Sequence, residues 1–229
     1  MSEANKNLDF MAELRSQIGG VSNSLDQLRP PAGVATGIST FDDFLLWRGL
    51  PKGDLTLLQG EPGARTTEVW LNTLIQIHKE KKRAAWIDAD WESLHSPFSQ
   101  SLQNKKAHWG QLMIVKVSKG RSRLFWILNE IIKSGLFETV GCHLQNLQLK
   151  NADLKKIKKL ANLHRVALVI ISHIRRLVID PIYALVIECD HDFFTIRRAL
   201  HRPTPFSVPE NMIQSDLKSE LQMNRGFLW

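Results

Sequence analysis

The chain has 229 residues, 43% of them hydrophobic, enough for one well-packed domain with some peripheral chain. Thirty Lys and Arg against 23 Asp and Glu give a formal charge of +7, which favours an anionic partner such as nucleic acid without deciding for one. No apolar run approaches the ~20 residues that span a bilayer, the first residues carry Glu3, Asp9 and Glu13 rather than a signal peptide's apolar stretch, and two cysteines, Cys142 and Cys189, make neither a disulfide framework nor zinc spacing; buried free thiols and a cytoplasmic setting are expected.

Taken in chain order, Leu8, Met11, Leu14 and Ile18 recur at helical spacing before Gly19-Gly20, and Leu25 and Leu28 precede Pro30-Pro31-Ala32-Gly33. Residues 1–33 therefore read as an amphipathic helix and linker, docking either on a partner or on the chain's own domain. From Gly37 strand and helix alternate. Residues 54–59 read as a short buried strand, and 66–79 as a helix with Val69, Trp70, Leu74 and Ile77 on one side. Residues 83–88 and 112–117 are the next strands. Residues 121–134 form the clearest helix, with Leu124, Ile127, Leu128 and Ile131 as its inward stripe. A strand over 137–142, a helix over 152–164 and an almost wholly apolar strand over 166–172 follow. Continuous apolar strands separated by helices imply a mostly parallel sheet covered on both faces. Residues 183–189 and 193–200, joined by Asp190-His191-Asp192, predict a closing antiparallel hairpin. The core domain is expected over 34–202, and the Pro-rich 203–229 as a loosely attached tail.

Between the first strand and its helix stands Gly60-Glu61-Pro62-Gly63-Ala64-Arg65-Thr66-Thr67, where a phosphate-binding loop would lie. Such a loop cradles phosphates with backbone N–H groups, reaches them with a Lys and holds magnesium with a hydroxyl. The full pattern puts its Ser or Thr seven positions after the first Gly, whereas Thr66 is six after Gly60. The Gly before the lysine is missing, and the lysine is replaced by Arg65. A residue able to take unusual backbone angles is lost, and a planar guanidinium stands in for a compact ammonium. A plain strand-to-helix turn is the simpler reading.

The surrounding residues resemble the RecA superfamily over roughly residues 34–208. Thr36-Gly37-Ile38-Ser39-Thr40-Phe41-Asp42-Asp43 looks like its TG-x-x-x-LD opening motif, and Gly49-Leu50-Pro51-Lys52-Gly53 like its GLP-x-G approach to the phosphate loop. Trp86-Ile87-Asp88-Ala89-Asp90 is similar to the FIDAE strand end, whose final Glu activates water; Asp90 takes that place. Where the family positions magnesium with a Walker B Asp, this chain has His143, and the terminal-strand switch, normally Gln, falls at His173. The resemblance implies a RecA-like three-layer α/β sandwich around a retired nucleotide pocket, with Gly60, Gly63, Arg65, Thr66, Thr67 and Asp90 as its remains. No catalytic residue, metal or cofactor is then expected, although a divergent ATPase using Arg65, Thr66 and Asp90 with magnesium-ATP stays open.

The closest likeness is to the ImuA- and SulA-like branch, carried by Trp126 through Gly135 and by the helix and strand after it. It implies an accessory protein of SOS mutagenesis and translesion synthesis that contacts an ImuB-like relative of Y-family polymerases or another repair protein. The alternative within the branch is a SulA-like inhibitor of the division GTPase FtsZ. The family's DNA-gripping loops have only short counterparts, 144–150 and 173–182, so a RecA-like filament is not expected. Weak DNA contact would fall to Lys119, Arg121 and Arg123 or to Arg175 and Arg176, with Arg197-Arg198 a further basic pair. Lys155, Lys156, Lys158 and Lys159 read as the solvated face of a helix. Most of the seven tryptophans read as core, Trp109 and Trp229 as exposed contacts, and residues 226–229 as a short docking peptide.

Overall fold

Strands buried along their whole length are what a doubly covered parallel sheet requires. β1 (Leu55–Gln59), β2 (Ala84–Asp88), β4 (Thr139–His143) and β5 (Ala167–Ser172) are of this kind. With β3 (Leu112–Lys116), β6 (Leu185–Cys189), β7 (Phe193–Ala199) and β8 (Phe206–Pro209) they make an eight-stranded sheet, in the order β3-β2-β4-β5-β1-β6-β7-β8. A computed structural model describes residues 33–61, 66–88, 111–117, 120–143, 149–173, 180–190, 193–200 and 206–209, all within the compact unit Ala32–Trp229. The expected N-terminal helix and the 226–229 peptide lie outside the described residues. Every pairing from β3 to β6 is parallel; β7 and β8 each pair antiparallel to the strand before.

Side chains alternate across each strand, and this splits the core in two. On one face Leu58, Trp86, Val169, Ile171 and Ile187 pack with Val69, Trp70, Leu74 and Ile77 of α2 (Thr66–Lys79) and with Phe41 of α1 (Ser39–Phe44). On the other, Leu55, Leu57, Ile87 and Ile170 pack with Leu124, Leu128, Ile131 and Ile132 of α3 (Arg121–Lys133) and with Leu154 and Ile157 of α4 (Asn151–His164). The result is the RecA-like three-layer sandwich expected, with a mostly parallel sheet and a C-terminal antiparallel hairpin. Each fully buried aliphatic or aromatic side chain adds roughly 1.5–3 kcal/mol of apolar burial. Cys142 and Cys189 are buried free thiols. Among the described residues no helix is long and apolar enough to cross a membrane.

Three expectations need correction. The tail does not hang loose throughout, because Phe206–Pro209 extends the sheet as β8 on β7. Ile127 is only partly buried; Ile132, fully buried, completes the inner stripe of α3 instead. Lys158 is not merely solvated: its ammonium pairs with Asp54 at 2.7 Å and donates to the Ile182 carbonyl at 2.9 Å, tying α4 to the approaches of β1 and β6.

Candidate functional site

The carboxyl ends of β1, β2, β4 and β5 are where an open α/β sheet binds ligands, and the retired pocket was expected there. Gly60 follows β1 directly. Its N–H donates to the Ser172 carbonyl at 3.2 Å, extending the β1–β5 ladder rather than facing an anion. Thr66 opens α2 fully buried, and Thr67 beside it is half-buried. Gly63 and Arg65 lie outside the described residues, as does Asp90, two positions beyond the end of β2.

His143 ends β4, and the structure builds it into the core. It is 5% exposed and sits in register between Asp88 of β2 and Ile171 of β5. The Trp86 ring stacks on it at 6.4 Å and 20°, Trp70 lies on Trp86 at 5.8 Å, and His173 meets His143 edge-on at 4.6 Å. A row of four rings thus runs over the strand ends. Aromatic contacts of this kind are each worth about 0.5–1.5 kcal/mol beyond their area, so His143 has a packing role of its own. The two expected substitutes, His143 and His173, are brought together.

The row also explains a glycine. A Cβ on Gly141 would lie 2.6 Å from the Trp70 ring and 2.7 Å from the Trp86 ring, so β4 must be bare where the tryptophans cross it.

Asp88 was missed as a site residue. It is fully buried, and neither carboxylate oxygen has a hydrogen-bond partner among the described residues. In register it stands between Lys116 of β3 and His143 of β4. The signal was present: Asp88 closes an apolar run, and strand alternation puts it on the Trp86 face. The donors near this corner, one carboxylate and two imidazoles, do not suit magnesium, a hard cation that takes oxygen ligands. Among the described residues no group of three or more His, Cys, Asp or Glu side chains could hold a metal ion.

The opening motif has a structural task. Asp42 accepts from the N–H of Thr36 at 3.0 and 3.1 Å, from its hydroxyl at 2.9 Å and from the N–H of Gly37 at 3.1 Å, clasping α1 to the chain before it. Burial nevertheless pushes the Asp42 carboxyl up to about 6, against the lowering pull of those donors. In the GLP-x-G segment, Val34 and Leu50 exchange backbone hydrogen bonds of 2.8 and 2.7 Å. Gly49 takes φ +142°, and a side chain there would overlap the Val34 carbonyl. Lys52 and Lys82 both pair with Glu138. Burial works to raise the Glu138 pKa, and the two ammonium groups outweigh it and hold the carboxyl below its ordinary range. Both motifs close with contacts inside the protein.

No family model matches the chain, and no curated protein matches it.

Of the basic candidates, Arg123, Arg197 and Arg198 are among the described residues. Arg123 is exposed on the first turn of α3. The Arg121 side chain and the whole of Lys119, Arg175 and Arg176 lie outside the described residues. Arg197 pairs with Glu188 at 3.3 Å, and the Arg198 Nε donates to the Tyr183 carbonyl at 2.8 Å. Trp126, read with the core tryptophans, is instead 62% exposed; Trp109 and Trp229 lie outside the described residues.

Proposed function

We propose that this chain is a non-catalytic RecA-fold adaptor of DNA damage tolerance, ImuA-like, acting by protein–protein contacts with an ImuB-like relative of Y-family polymerases. The observation that carries the reading is His143, an imidazole packed between Trp86 and His173 at the strand end where the family keeps a magnesium-positioning carboxylate. Such a site gives up coordination of a hard cation in exchange for packing. Gly60 supports the same reading, since its N–H is committed to Ser172. A scaffold that keeps the sandwich and loses the motor has binding as its remaining work.

The test is affinity purification of the full chain from cells treated with a DNA-damaging agent. Stoichiometric recovery of an ImuB-like polymerase relative is expected. Recovery of FtsZ alone, or of no damage-response protein, would overturn the adaptor reading.

A further inference from the structure

α3 and α4 lie side by side over one face of the sheet, and each shows a second stripe to solvent beside the one it buries. On α3 the stripe is Phe125, Trp126, Asn129 and Lys133; on α4 it is Lys156, Leu160 and Leu163, again at helical spacing. Between them runs a groove of about 610 Å³. Its floor is apolar: Phe125 and Leu160 pack down onto the core, while Trp126 and Leu163 stand 62% and 73% exposed. An exposed Trp and Leu lining one groove make the kind of apolar patch that marks an interaction site, and Trp is among the residues that most often anchor one.

The rim identifies the occupant. Lys133 is engaged by Glu130 at 3.4 Å on its own helix, whereas Lys156 and Lys159 have no ion-pair partner among the described residues. The groove is therefore apolar along its length and cationic along the α4 side. An oligonucleotide would bring its phosphates near Glu130 as well as the lysines, and among the groove's aromatic residues only Trp126 stands exposed to stack a base. The stretch from Trp126 to Lys133 covers roughly two helical turns, the footprint of a helix laid in a groove with anchors at i, i+3 or i+4, and i+7. The geometry points to an amphipathic helix of a partner protein, with a Leu- or Phe-rich face set on Trp126 and Leu163 and with Asp or Glu beside it opposite Lys156 and Lys159. This inference rests on the adaptor reading and names the chemistry of the surface it would use.

The experiment titrates two fluorescein-labelled helical peptides, each about 18 residues so that a helix can form, into the full chain and reads anisotropy. Both carry the same leucine stripe; one is flanked by Glu, the other by Lys. The Glu-flanked peptide should bind at least about tenfold more tightly than its Lys-flanked counterpart. Trp126→Ala, Leu163→Asn and the pair Lys156→Glu with Lys159→Glu should each weaken it by a similar factor. All four positions are surface sites, and melting curves matching wild type check that the variants fold. Equal binding of the two peptides, binding indifferent to the substitutions, or no binding overturns the inference. So does full displacement of the peptide by oligo-dT, or a wild-type dimer that Trp126→Ala dissociates, since the groove would then belong to nucleic acid or to a second copy of this chain. Binding of magnesium-ATP by the same samples would overturn the adaptor reading while leaving the peptide result in place, so the two failures are separable.

Discussion

Asp42 and Asp88 are carboxylates under apolar cover in opposite circumstances. Asp42 has a full set of donors from Thr36 and Gly37, and burial still raises it from 3.8 to about 6. A raised carboxyl binds its proton more readily when folded, so its contribution to stability is greatest below pH 3.8 and falls as pH rises to about 6. Asp42→Asn removes that slope: urea midpoints at several pH values should show the variant gaining on wild type from about pH 4 to 6, with a constant difference above. A constant difference across the whole range would refute the burial argument. Glu138 works the other way. Lys52 and Lys82 hold it low despite burial, and its contribution is lost as pH falls through the acid range. Asp88 has burial without donors. An unsatisfied buried group costs about 1–3 kcal/mol, more when charged. Asp88→Asn should therefore raise the unfolding free energy by on the order of 1 kcal/mol in denaturant titration at neutral pH; a loss of stability would refute the claim that the carboxylate is unsatisfied.

At the scale of elements, Gly141 is where β4, β2 and α2 are fitted to one another. Gly141→Ala must displace Trp70 or Trp86, and overpacking of this kind costs about 1–3 kcal/mol. Denaturant unfolding should register that loss, with a shift in tryptophan emission as the ring row reorganises; an unchanged midpoint would show that the rings have room. Most elements were legible from the amino-acid sequence because the sheet is buried on both faces and its strands are unbroken apolar runs. β1, β2, β3 and β5 start or stop within a residue of the expected bounds, and α2 matches at both ends. α1 was not legible: six residues carry no stripe, and what holds them is the Asp42 clasp on Thr36 and Gly37, a local side-chain-to-backbone pattern that periodicity does not show. β8 was not legible either, since Phe206-Ser207-Val208-Pro209 is brief and Pro-flanked and gains its identity only from β7. The exposure of Trp126 escaped for a related reason. Helical periodicity places apolar residues on a face, and on α3 two neighbouring faces are apolar.

For the whole molecule, the sheet and its two cores followed from pattern, while the site followed only in part. His143 and His173 were marked by their places in strand-end motifs, and the structure packs their rings together. Asp88 was not legible as part of the site because its complete burial is a tertiary property that no motif carries. Most basic candidates could not be ranked by charge alone, since residues such as Arg197 and Lys158 are used internally. The molecule thus has a RecA-like α/β frame in which Gly60, Asp42 and His143 are all engaged in contacts within the frame. Isothermal titration of magnesium-ATP into the full chain, with phosphate release followed in parallel, tests this most directly. No saturable heat and no turnover above buffer are expected. Saturable binding with turnover that Asp90→Asn abolishes would contradict it.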